Sequence, residues 1–106
     1  MIQVKTYEQN HRLKRITISG HAGYSTAGND IVCAAVSSIV TTSVNAMVRM
    51  QPSCIQYKEK EGFVSIELLD QTKEIELLVD NMLDLLGQLE IQYNSYIKIN
   101  KEVSSC

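Results

Sequence analysis

One stretch constrains the fold more than any other: after Asn29 and Asp30 the chain runs for about twenty residues without glycine or proline, until Pro52. Many of these residues are β-branched (Ile31, Val32, Val36, Ile39, Val40, Thr41, Thr42, Val44) and would suit a strand. Length decides for a helix, because buried strands run to roughly 4–8 residues. Asn29 and Asp30 supply N-cap chemistry, so the helix is expected to open with Asp30 as its cap. Its apolar and small residues go round much of the circumference. Such a helix packs a sheet on one side and another helix or subunit on the other.

The rest of the chain supplies the sheet. Ile2, Val4 and Thr6 alternate with Gln3, Lys5 and Tyr7, and Ile16 and Ile18 alternate with Arg15, Thr17 and Ser19, which predicts a hairpin. Cys54 to Glu59 and Phe63 to Leu69 flank Lys60, Glu61 and Gly62 as a second hairpin. Asp70 or Thr72 then caps a second helix, in which Ile75, Leu78, Val79, Met82, Leu85, Leu86 and Leu89 recur at helical spacing. Tyr93 to Asn100 alternates again as a last strand, leaving Lys101 to Cys106 as a frayed tail. The expectation is a single α/β domain over residues 1–106, of order ββαββαβ, with a largely antiparallel sheet packed with two long helices.

Composition narrows the function. A formal charge of −2 and a pI near 5.6 argue against direct nucleic-acid binding, which needs clustered Lys and Arg. Ile31 to Met50 is interrupted by Ser37, Ser38, Thr41, Thr42, Ser43, Asn45 and Arg49, so no membrane partner is expected. Met1 to Gln9 lacks the pattern of a secretion signal, and three widely spaced cysteines give no paired disulfide framework. A cytoplasmic protein with reduced thiols follows. At 106 residues the chain gains from burial between subunits, which makes a homodimer the natural expectation.

The segment that carries chemistry is Gly20-His21-Ala22-Gly23, a loop, then Gly28-Asn29-Asp30-Ile31-Val32-Cys33-Ala34-Ala35-Val36-Ser37. With Asp30 as cap, Cys33 falls in the first helical turn, near unpaired N–H groups and the positive dipole end, a setting that favours a thiolate. His21 follows Gly20 at a strand end, and the intervening loop can bring it to Cys33 as the proton-transfer partner. Against this stands the ordinary fate of a cysteine in an apolar helix, which is burial in a core. Asp30 is read as mainly structural, and Ser37 lies one turn after Cys33 on the same face. Cys54 and Cys106 have neither a histidine nor a cap beside them. His21, Cys33 and Cys54 lack the paired spacing of zinc sites, and no GxGxxG or GK[ST] occurs, so neither metal nor cofactor is expected.

These residues resemble the ribosomal-processing cysteine protease family, Prp. The resemblance centres on Gly20-His21-Ala22 and on Gly28 to Ala35, with Ser37 and then Ser43-Val44-Asn45-Ala46 following, and overall length and element order extend it along nearly the whole chain. It implies a homodimeric α/β protease whose peptide substrate is the short apolar N-terminal extension of large-subunit ribosomal protein twenty-seven. It further implies that Cys33 and His21 are the catalytic dyad, that Asp30 supports the site, that Ser37 lies beside it, and that the loop from Ala22 to Asn29 admits substrate. Two rivals stand beside this reading. One is a non-catalytic ribosome-assembly or peptide-binding module with Cys33 in its core. The other, a thiol redox protein, lacks a CxxC and a resolving cysteine.

Overall fold

The computed structural model describes residues 1–20 and 27–104, with side chains for 1–20 and 31–103. The elements run β1 (Ile2–Gln9), β2 (Arg12–Ser19), α1 (Ala27–Met50), β3 (Ile55–Lys60), β4 (Phe63–Leu68), α2 (Lys73–Gln92) and β5 (Ile97–Ser104). This is the expected order.

Local chemistry explains the junctions. Asn10 and His11 both take left-handed backbone angles (φ 54° and 64°), the requirement of a two-residue hairpin turn whose twist matches its strands. Gly62 (φ 71°) serves the β3–β4 turn. Thr72 caps α2, its hydroxyl accepting from the Ile75 N–H at 3.3 Å, with Glu74 and Glu76 in the first turn.

The strands form one sheet in the order β3-β4-β2-β1-β5. Three of its pairings are antiparallel and the β1–β5 pairing is parallel. Strand register lines up Val4, Ile18 and Val64 on one face, and Thr6, Ile16 and Ile66 in the next row. Both helices cover this face. α1 contributes Val32, Val36, Val40, Ser43 and Met47, and α2 contributes Ile75, Val79, Met82 and Leu86, each set spaced three or four residues apart as one buried stripe. Ile31–Met50 is by itself long and apolar enough to cross a bilayer, yet its stripe lies in the sheet-covering core.

Two expectations need correction. α1 begins at Ala27, so Asp30 is its fourth residue and not its N-cap, and residues 27–29 of the expected loop are helical. The sequence offered Asn29 and Asp30 as caps, but acidic and amide side chains are equally at home within a first turn. Lys101 to Ser104 are also not frayed: they continue β5, in parallel register with Thr6 to Gln9. The β1 edge supplies backbone partners that outweigh the polar character of this tail.

Candidate active site

A cleft of about 550 Å³ opens between α1 and the β3–β4 hairpin. Cys33, Ser37 and Thr41 line it from the helix, one turn apart on one face. Its floor comes from the sheet. Ile18 of β2, Val64 of β4 and Glu59 of β3 stand side by side across three strands, with Val36 and Val40 descending from the helix. The apolar row that starts at Val4 therefore ends, at the open sheet edge, on a carboxylate.

Gly20 closes one end of this cleft. It adopts φ +81°, its N–H donates to the Gly62 carbonyl at 3.0 Å, and a side-chain Cβ there would collide with the Met1 carbonyl oxygen. The glycine is thus required both by its backbone angle and by close approach of the chain beginning. His21, the next residue, lies outside the described residues, as do Ala22 to Thr26 of the proposed substrate loop, and the side chain of Asp30 is not described.

Of the residues singled out in the sequence, Gly20, Cys33 and Ser37 are brought into one cleft. Cys33 is half-buried against the core, and Ser37 is exposed. Because α1 starts at Ala27, Cys33 is its seventh residue (27 to 33 inclusive). Its N–H is within the intrahelical ladder, and the unpaired N–H groups of the helix start lie one turn before it. Cys33 therefore sits beyond the first turn, where the positive end of the helix acts on it less strongly than it would at the third helical position.

Cys54 is a different case. It is fully buried, its thiol donating to the Met47 carbonyl at 3.6 Å. Burial pushes that thiol above its ordinary range, with the Asp70 carboxylate adding to the effect. A buried thiol held protonated is a packing residue. Among the described residues no group of three or more His, Cys, Asp and Glu is placed to hold a metal ion.

The opposite wall was missed in the sequence. Tyr57 and Glu59 stand on the same face of β3, and the Tyr57 hydroxyl donates to the Glu59 carboxylate at 2.7 Å. The signal was present in the alternation of Ile55, Tyr57 and Glu59, which puts all three on the inward side once Ile55 is in the core.

Known proteins share this sequence and this fold. The family model described as cysteine protease Prp matches residues 1–98. The ribosomal processing cysteine protease Prp of Staphylococcus aureus is 31% identical over 98 residues, 90% of this chain and 92% of that protein. Two crystal structures of the S. aureus protease superpose closely. The one in complex with a substrate peptide has a TM-score of 0.89 at 27% identity, and the one with a covalently linked product peptide 0.86 at 28%. Each alignment covers 96% of this chain and all of the solved one. With sequence likeness running from the first strand into the last, and the fold alike throughout, this chain belongs to the cysteine protease Prp family, the ribosomal processing cysteine proteases.

Proposed function

We propose that this protein removes the short apolar N-terminal extension of large-subunit ribosomal protein twenty-seven, with Cys33 as nucleophile and His21 as its proton-transfer partner. The observation that carries the reading is the half-buried Cys33 on the wall of a cleft whose floor is Ile18, Val36, Val40 and Val64, a surface suited to an apolar peptide. The Cys33 thiolate attacks the scissile carbonyl carbon. The C–N bond breaks as the His21 imidazolium gives its proton to the leaving amine. His21 then takes a proton from water, whose oxygen displaces the sulfur from the thioester, releasing the carboxylic acid and restoring the Cys33 thiolate and the His21 imidazolium. Asp30, in the first turn of α1, and Ser37, one turn beyond Cys33, support the site from the same helix.

The protein acts in the cytoplasm as a homodimer. Residues 31–48 of α1 carry no charged side chain, and Ile31, Ala34, Ser38, Thr42 and Val48 are exposed. A second copy seated there would cover them. The experiment is incubation with a synthetic peptide spanning the extension. One cut is expected from the wild type and none from Cys33→Ala or His21→Ala, both variants remaining folded. An uncut peptide, or near wild-type turnover by either variant, overturns the assignment.

A further inference from the structure

Glu59 is the one charged position in its row of the sheet. Every other position in its row, Ile99, Val4, Ile18 and Val64, is apolar. Glu59 ends the row on β3, the edge strand, and lines the cleft opposite Cys33. Its carboxylate is not left to roam, because Tyr57 two residues earlier on the same face donates to Oε1 at 2.7 Å. The second oxygen is left to accept from elsewhere. Lys60 and Glu61 also line the cleft, at its hairpin end, where Lys60 pairs with Phe63; on the inward-facing row of β3 itself, after Ile55 and Tyr57, the charge is the Glu59 carboxylate. An inward charge on an edge strand also discourages sheet-to-sheet association, but that role requires no hydrogen bond to fix the carboxylate.

Resting on the reading of the cleft as the peptide site, we propose that Glu59 is a specificity-determining residue. It accepts a Lys or Arg side chain of the bound peptide, while a neighbouring apolar side chain occupies the Ile18–Val64 floor. Tyr57 is its positioning residue. The geometry selects a peptide in which a basic residue and an apolar residue fall close together along an extended backbone, the apolar group giving affinity and the charge giving register.

The test is cleavage-site profiling of a proteome-derived peptide library with the full-length wild type, Glu59→Gln, Glu59→Lys and Tyr57→Phe. Wild-type cut sites are expected to share Lys or Arg at one fixed position from the scissile bond. Glu59→Gln loses that preference and Glu59→Lys replaces it with Asp or Glu. For a basic peptide drawn from the wild-type set, Glu59→Gln raises KM about 5-fold with kcat within about twofold, the size expected of a solvent-exposed charge pair. Tyr57→Phe gives a smaller rise in KM for that basic peptide, about twofold, with kcat within about twofold. Raising salt to ~0.5 M reproduces the KM effect in the wild type and not in Glu59→Gln. Identical profiles from all four proteins, with cleavage intact, overturn the role of Glu59 alone. A wild type that cuts no peptide in the library overturns it together with the reading of the cleft.

Discussion

The Tyr57 hydroxyl donates a 2.7 Å hydrogen bond to the Glu59 carboxylate across one pleat of the edge strand. Although Tyr57 is 38% exposed, its phenol is pushed up to about 12, first by burial of the ring against the cleft and then by the Glu59 bond and charge. Ionisation would remove the donated proton and set two negative charges side by side. The folded pKa lies above the unfolded value of 10.0. The contribution to stability is therefore complete below about pH 10 and is lost as pH rises toward 12. Glu59→Gln removes the charge and should bring this tyrosine back toward its ordinary range. Ultraviolet titration of tyrosinate, read as the difference between wild type and Tyr57→Phe and repeated in the Glu59→Gln background, checks it. The same Tyr57 midpoint in both backgrounds would remove Glu59 as a cause.

Gly20→Ala tests how the chain is delivered to His21. The position needs φ +81°, and its Cβ has no room beside the Met1 carbonyl. Substitution is expected to cost about 2 kcal/mol, from backbone strain and displacement of the first residues. Thermal unfolding reads the loss. Activity on peptide should fall further than stability explains, because the Gly20–Gly62 hydrogen bond fixes the end of β2 immediately before His21. An alanine variant with wild-type melting and turnover would disprove the requirement.

Particular residues show why much of this fold could be read in advance and some could not. Alternation at Ile2, Val4, Ile16 and Ile18 and the helical spacing of Ile75, Val79, Met82 and Leu86 report directly on which side is buried, and the structure buries them. Those patterns are local. The placement of β5 beside β1 is not: it joins Lys101 to Thr6 across almost the whole chain, and nothing in Lys101 to Ser104 advertises a strand. The start of α1 escaped for another reason. Asn29 and Asp30 are good caps and also tolerable first-turn residues, and the competition is settled by tertiary context. In the cleft, the chemistry of Cys33 and Ser37 was visible as residue type and spacing, whereas its far wall depended on knowing which side of β3 faces inward. Only the pairing of Ile55 with Leu68 settles that.

The end of β5 gives a stability prediction. Deleting residues 101–106 removes ladder bonds to Thr6 through Gln9 and the 3.1 Å ion pair of Lys101 with Glu8. The side chains of 101–103 are exposed, so the loss is mainly backbone hydrogen bonding, about 2 kcal/mol in total. For a chain of this size that is a fall in Tm of about 10 °C. Lys101→Ala alone should cost under about 0.5 kcal/mol, since the pair is solvent-exposed. A truncated chain that melts with the intact one would show that the last turn of pairing is dispensable.

Thiol access provides the last prediction, and it separates packing from function. Cys33 is half-buried on the cleft wall, whereas Cys54 is fully buried with its thiol on the Met47 carbonyl. Iodoacetamide at neutral pH should modify Cys33 in the folded protein and spare Cys54. Labelling of Cys54 then requires opening of the core and should run at least about a thousandfold slower than in the unfolded chain, as a domain stability of several kcal/mol dictates. The pH dependence has a definite sign. Burial raises the folded pKa of Cys54 above 9.0, so its contribution to stability is full below that value and declines as pH rises through the folded one. Higher pH thus weakens the fold while creating more thiolate in the open state, and Cys54 labelling should accelerate more steeply with pH than ionisation of a free thiol alone requires. Cys54→Ala removes this alkaline loss. It also leaves a small cavity beside Met47, costing about 1–2 kcal/mol at neutral pH. Peptide mapping of the modified protein follows each thiol separately. If Cys54 in the folded protein reacts as fast as Cys33, its place in the core is wrong, and with it the assignment of Cys33 as the accessible thiol.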